Sequence, residues 1–454
     1  MVKKMKKSFL GTLILAVLTI TNASAETIFE AMSSAYDTNP VLHGERAASG
    51  AVNEDAAAAR SGFRPTVALQ GGYTDSHTRS TGGPTVDGHG KNYGGAIKQP
   101  LFNGFSTYNS VKAADNAAKA ELNNLYNVEQ TILLQAATAY LDVVRDEAIV
   151  NLQKNNERLL KKQLDETLAR FDVGEVTRTD VAQSRASYAQ AQSDLVLAQG
   201  NLAISQANYL DIVGHQPDKV AFPENLAKLF PTNYAAARQY AAENNYGLKA
   251  AKKALKAAKY NVNSKTGGLL PEVSFTASNF KNKASTINGN NFTTRNTEYT
   301  VDMSIPLYEA GATRAAIRKS KYQRWQAEED LRAAVNAVEL GVTSGWEMMQ
   351  TSKANISSIR EQIKASAIAL EGTQKEEALG NRTVLDVLNA YQALLFSQVS
   401  EVEARHDYYV SGLQLLQAMG KLTARQLDLK VNYYNAKENY YNTRGKWLSL
   451  SIDD

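Results

Sequence analysis

Phe171-Asp172-Val173-Gly174-Glu175-Val176-Thr177-Arg178-Thr179-Asp180-Val181 reads as a tight turn between two helix-forming segments. Its pattern returns 206 residues later as Gly380, Thr383, Asp386 and Val387 within Ala378-Leu379-Gly380-Asn381-Arg382-Thr383-Val384-Leu385-Asp386-Val387-Leu388. The same interval carries Gly62-Phe63-Arg64-Pro65 onto Gly268-Leu269-Leu270-Pro271, Pro100-Leu101-Phe102 onto Pro306-Leu307-Tyr308, Tyr140 onto Trp346 and Gly214 onto Gly420. The period far exceeds the roughly 20 to 50 residues of solenoids and propellers. Residues 26–231 and 232–437 therefore read as two copies of a larger unit (helix, β-hairpin, long helix, helix) that build one pseudo-symmetric body, with 438–454 as a tail.

Proline placement sets the helix lengths. None lies between Pro100 and Pro217, and none follows Pro306. From about Asn103 to Arg170 the chain is rich in Ala, Leu, Gln, Glu and Lys, all good helix formers, which predicts a helix of about 100 Å. In the helix that follows, Val181, Tyr188, Leu195, Leu202 and Tyr209 recur every seven residues, and Leu388, Leu395, Val402, Tyr409 and Leu416 do the same in the second copy. Sustained sevens predict coiled-coil packing. The competing reading is an amphipathic helix buried in a globular all-α domain.

Between the short and long helices of each copy the period becomes two. Val273, Phe275 and Ala277 alternate with Ser274, Thr276 and Ser278, and Tyr299, Val301, Met303 and Ile305 with Glu298, Thr300, Asp302 and Ser304. The first copy is less regular: Val67, Leu69 and Tyr73 stand against Ala68, Gln70 and Thr74, then Tyr93 and Ile97 against Lys98. Such strands suit a boundary between lipid and a watery lumen. We expect strands of about ten residues, joined by loops at Ser76–Gly90 and Lys283–Thr294, with Pro65, Pro100, Pro271 and Pro306 at the helix–strand junctions. Four strands cannot close a barrel whose minimum is about eight, so several chains must share one. A small soluble β-layer beside a helical bundle is the alternative.

Lys3, Lys4, Lys6 and Lys7, the apolar run Phe9–Ile20 and Ala23-Ser24-Ala25 read as a cleaved signal peptide, residues 1–25, so the mature chain is expected to begin at Glu26. Without those lysines 46 Lys and Arg face 46 Asp and Glu, so no basic excess speaks for a nucleic-acid partner. The chain has no cysteine, so neither disulfides nor a lipidated cysteine hold it in place. No later window is apolar enough for a transmembrane helix, which leaves a β-barrel as the route across a membrane.

Little suggests chemistry. His43, His77, His89, His215 and His406 lack metal-ligand spacing, Gly88-x-Gly90 lies between strands, and there is no P-loop or nucleophile motif, so no enzyme, metal or cofactor is expected. The tail aromatics Tyr433, Tyr434, Tyr440, Tyr441 and Trp447 read as packing around the middle of the helical body or as a frayed end. Thr177-x-x-Asp180 and Thr383-x-x-Asp386 read as capping boxes at the start of the return helices.

Taken with the duplication, the two turn sequences resemble those of the TolC family of outer membrane efflux proteins. The resemblance implies a homotrimer with a shared 12-stranded barrel, four strands per chain, in the outer membrane, continuous with a periplasmic tube of coiled-coil helices. It further implies a passive exit duct for tripartite efflux or type I secretion, opened at its tips by a periplasmic adaptor and an inner-membrane ABC or RND transporter. By position Asp386 matches the family's constriction carboxylate, Arg382 its tip arginine, and Thr179 and Asp180 their partners on the neighbouring tip. Two positions depart from the best-known member: Asn389 where a second constriction aspartate is found, and Glu377 where a tyrosine is found. Three copies of Asp386 about one axis would attract cations and couple their titrations, with Asn389 leaving a single acidic ring. Glu377 is expected to pair with Arg382 across the turn. The reading from another class is an exported structural or adhesive coiled-coil protein of the cell surface without transport.

Overall fold

The computed structural model describes residues 26–79, 81–83, 85–285 and 291–452; the expected signal peptide, residues 1–25, lies outside them. The first copy comprises α1 (Ile28–Thr38), α2 (Pro40–Ser61), β1 (Thr66–Arg79), β2 (Thr85–Asn103), α3 (Ser106–Asp172) and α4 (Arg178–Val213). The second comprises α5 (Tyr234–Asn244), α6 (Tyr246–Gly267), β3 (Glu272–Ser285), β4 (Asn291–Ser304), α7 (Ala312–Ala378) and α8 (Val384–Met419). Every helix of the second copy has the length of its counterpart and starts 206 residues later. A short α9 (Ala436–Thr443) follows, so the expected boundary at 437 falls inside a helix.

At 67 residues each, α3 and α7 run about 100 Å. Among the described residues no helix is both long and apolar enough to cross a membrane. The strands form one antiparallel sheet in the order β1-β2-β3-β4. Odd-numbered residues supply one face, where Val67, Leu69, Tyr73, Ile97, Tyr299, Val301 and Met303 are all exposed. Polar Thr66, Gln70, Ser274, Thr276, Glu298 and Asp302 supply the other, which is the pattern of a membrane barrel wall.

The strands are longer than expected, 14 residues in β1, β3 and β4 and 19 in β2. Pairing runs out to Arg79↔Thr85 and Ser285↔Asn291, so most of the expected loops Ser76–Gly90 and Lys283–Thr294 is strand. Ladder hydrogen bonds come from the backbone and need no apolar side chains; His77–Asp87 (2.5 Å) and His89–Asp75 (3.0 Å) support the pairing instead. Pro100 sits within β2 and not at a junction, at the place where the register with β3 shifts because proline has no N–H to donate.

The heptad of the first copy, Tyr209 apart, also needs correction. In α4 the expected Val181, Tyr188, Leu195 and Leu202 are half-buried, whereas Ser184, Ala191, Ala198 and Ser205, three residues further on, are buried. In α8 the expected Leu388, Val402, Tyr409 and Leu416 are buried as read, and Ser397, Ala404 and Ser411 add the small-residue seam beside them. A coiled coil has two seams, and here the small-residue seam lets neighbouring helices approach most closely. The largest core lies where α1, α3, α4, α5 and α8 converge, around Met32, Leu133, Tyr140, Tyr209 and Leu413. Tyr140 Oη lies within hydrogen-bond distance of the carbonyl oxygens of Glu26 (2.8 Å) and Ala221 (2.9 Å), tying the segments before α1 and after α4 to the long helix. The tail packs beside α2 and α3: Tyr440 Oη donates to Asp115 (2.7 Å), and the Arg64 guanidinium lies over the Trp447 ring at 4.4 Å.

Candidate functional site

The two turns joining α3 to α4 and α7 to α8 are built alike. Gly174 (φ +81°) and Gly380 (φ +80°) take the left-handed conformation that ends each descending helix. The N–H groups of Glu175 and Asn381 donate at 2.9 Å to the carbonyls of Arg170 and Glu376, completing Schellman turns. Thr177 and Thr383 then cap the return helices. The Asp180 carboxylate accepts from the Thr177 N–H (2.8 Å) and Oγ1 (2.7 Å), and the Asp386 carboxylate from the Thr383 N–H (2.9 Å) and Oγ1 (2.8 Å). Both boxes are thus complete.

Hydrogen bonds from Thr177 hold the Asp180 carboxyl below its usual range, with a smaller contribution from Arg170. Bonds from Thr383 do the same for Asp386, helped weakly by Arg382. In both cases the charged form receives the hydrogen bonds.

The two tips differ in charge. Arg170 donates through Nη1 to Glu377 Oε1 at 2.5 Å, joining the α3–α4 tip to the α7–α8 tip, and its Nε lies 3.3 Å from Glu175. Glu377 keeps only 12% of its side-chain surface exposed, so this contact is partly withdrawn from water. Arg382 pairs with Glu376 at 2.9 Å. The expected Glu377–Arg382 pair is therefore not formed: successive residues of a helix point in different directions, and Glu376 faces the turn while Glu377 faces the other coil. Sequence reasoning missed Arg170, although a signal was present, since Arg170 and Glu376 are equivalent positions carrying opposite charges.

Asn389 is exposed on the side of α8 away from buried Val387 and Leu388, with Asp386 half-buried beside it, and Arg382 is exposed in the turn before the helix. Thr179 is exposed and Asp180 half-buried. Within the chain Thr179 does not meet Arg382. Below the turns Leu160, Ala191, Val384 and Leu388 pack the two coils together, and Gln374 donates to Tyr391 at 2.6 Å.

An amphipathic sheet continuous with coiled coils of about 100 Å defines an outer membrane channel with a periplasmic helical tube. The chain belongs to the outer membrane efflux protein family, whose model matches residues 31–215 and 237–421. It is 37% identical over 440 residues to outer membrane efflux protein BepC of Brucella suis, covering 96% of this chain and 95% of that protein. It is also similar to outer membrane protein TolC of Escherichia coli, at 24% identity over 89% and 84% of the two chains. Alkaline protease secretion protein AprF of Pseudomonas aeruginosa is 26% identical over 74% of this chain and 70% of that one. Among solved structures, the Campylobacter jejuni CmeC outer membrane channel shares the fold with a TM-score of 0.78 over 98% of both chains, at 13% identity.

Proposed function

We propose that three copies of this chain form a passive exit duct, opened at its periplasmic tips by an adaptor and an energised inner-membrane transporter. The observation that carries this reading is the four-stranded sheet, which ends on unpaired edges at β1 and β4 while its apolar face is exposed. Three copies joined edge to edge give twelve strands and leave no exposed edge in the membrane. The long helices then continue the barrel as a tube. The tips are where it closes, with the Arg170–Glu377 contact holding the two coils of each protomer together and Asp386 lining the constriction. Opening separates the tips, a rigid-body shift between two packings of the same helices. The cargo is a small toxic compound or a secreted polypeptide, in keeping with relatives named for efflux and for protease secretion. Single-channel recording of the mature protein tests the reading. We expect small, cation-preferring conductance from wild type and loss of that preference in Asp386→Ala. A folded trimer with no conductance in either form overturns it.

A further inference from the structure

On the membrane-facing side of the sheet, β2, β3 and β4 are layered from apolar to cationic toward the hairpin ends. Ile97, Ala277 and Tyr299 lie across from one another, followed by Gly95, Asn279 and Thr297, and then by Tyr93, Lys281 and Arg295. One step further out Lys91 stands opposite Lys283. The helices leave from the other end of the strands, so this cationic end points to the outer leaflet.

Two like-charge pairs, Lys91↔Lys283 and Lys281↔Arg295, therefore face each other on neighbouring strands, an arrangement that repels without a counter-charge. None of the four cations has an acidic partner among the described residues. The acids on this face, Asp75 and Asp87, are held by His89 and His77. The equivalent positions of the first hairpin differ accordingly: Asp75, His77 and His89 stand where the second has Lys281, Lys283 and Arg295. The acids of the first hairpin are answered by its own histidines, whereas Lys91 beside them and the three cations of the second hairpin have no such answer among the described residues.

A groove of about 560 Å³ runs beneath the cations, with Tyr93 and Tyr299 among its walls and Gly95 and Ala277 in its floor. Asn279 Nδ2 donates to Thr297 Oγ1 at 2.6 Å midway along it. We infer that this groove binds a phosphorylated outer-leaflet lipid, with an acyl chain over Gly95 and Ala277, the polar linkage at Asn279–Thr297 and a phosphate between Lys281 and Arg295. The depth order of apolar, neutral polar and cationic side chains matches that of such a lipid, and Arg with Lys supplies charge-assisted hydrogen bonds to phosphate oxygens.

Native mass spectrometry of the purified full-length protein tests this with three probes: diphosphorylated lipid A, the same lipid stripped of phosphate, and inorganic phosphate. We expect the diphosphorylated lipid to be retained best, and Lys281→Gln with Arg295→Gln to weaken it by about 30-fold. Lys281→Arg should retain it, and Ala277→Phe should weaken it with every cation in place by filling the groove. Equal retention of the dephosphorylated lipid, displacement of the lipid by inorganic phosphate alone, or unchanged binding in the double variant or in Ala277→Phe overturns the inference. Loss of binding in Lys281→Arg, from protein with wild-type circular dichroism, overturns it as well.

Discussion

Arg170 and Glu377 meet at 2.5 Å, and through them the first half of the chain grips the second at the tips. Glu377→Gln keeps the shape and removes the charge, so the closed arrangement should lose about 1 kcal/mol, roughly fivefold in its equilibrium. The expected result is more frequent or larger channel openings, with a smaller difference at high salt. A double-mutant cycle of Arg170→Ala and Glu377→Ala measures the coupling directly; additive effects would show that the contact does not hold the gate.

The tip glycines can be tested separately from the charges. A Cβ at Gly174 or Gly380 would meet nothing within 4 Å, so substitution there acts through the backbone alone. Each Gly→Ala change should cost about 1–2 kcal/mol, and Gly→Asn less. Gly412 offers a contrast of cause, since a Cβ there would lie 2.3 Å from the Phe230 ring. Thermal melting of the three alanine variants should place Gly412→Ala lowest.

Thr177→Ala removes one half of a capping box and should cost about 1 kcal/mol at that tip. The same bonds make the tips acid-sensitive. Asp180 and Asp386 titrate lower when folded than when unfolded, so their contribution is present above the unfolded value, about 4, and is lost as pH falls through the folded one. Hydrogen exchange at residues 174–181 should therefore accelerate on acidification below about pH 4 in wild type and respond less in Thr177→Ala.

His406, buried in α8, lies 3.0 Å from Asp142 of α3 and 3.1 Å from Asp407, while Arg145 pairs with Asp142 and Asp146. Burial opposes its charge, but the neighbouring carboxylates of Asp142 and Asp407 prevail and raise its pKa. A raised value means that its stabilisation is full below the unfolded value, about 6.5, and is lost as pH rises through the folded one. Melting temperature should fall over that interval in wild type, and His406→Gln should flatten the dependence.

Asn389 lies three residues beyond Asp386 on α8. If the single acidic ring sets selectivity, Asn389→Asp adds a second and should strengthen both cation preference and block by multivalent cations. Unchanged reversal potential and block would remove this face of α8 from the pore.

The duplication, the helix lengths, the amphipathic strands and the capping boxes were legible because each depends on local chemistry: propensity, period, proline placement and side chains three residues apart. Strand ends were not, because backbone pairing outlasts apolar alternation, as Asp75 to Arg79 shows. The buried seam through Ala191 and Ala198 was overlooked because small residues give a weak hydrophobic signal.

By itself the sequence determined that two equal copies exist, where each long helix turns back and which faces of the strands are apolar, since these follow from the order of residues along one segment. Only the tertiary structure decided that Arg170 reaches Glu377 while Arg382 takes Glu376, and that Lys91 of the first hairpin joins Lys281, Lys283 and Arg295 of the second on one face of the sheet. Arg170 and Glu377 are 207 residues apart, and what brings them together is the packing of one coiled coil on another, which no local pattern encodes.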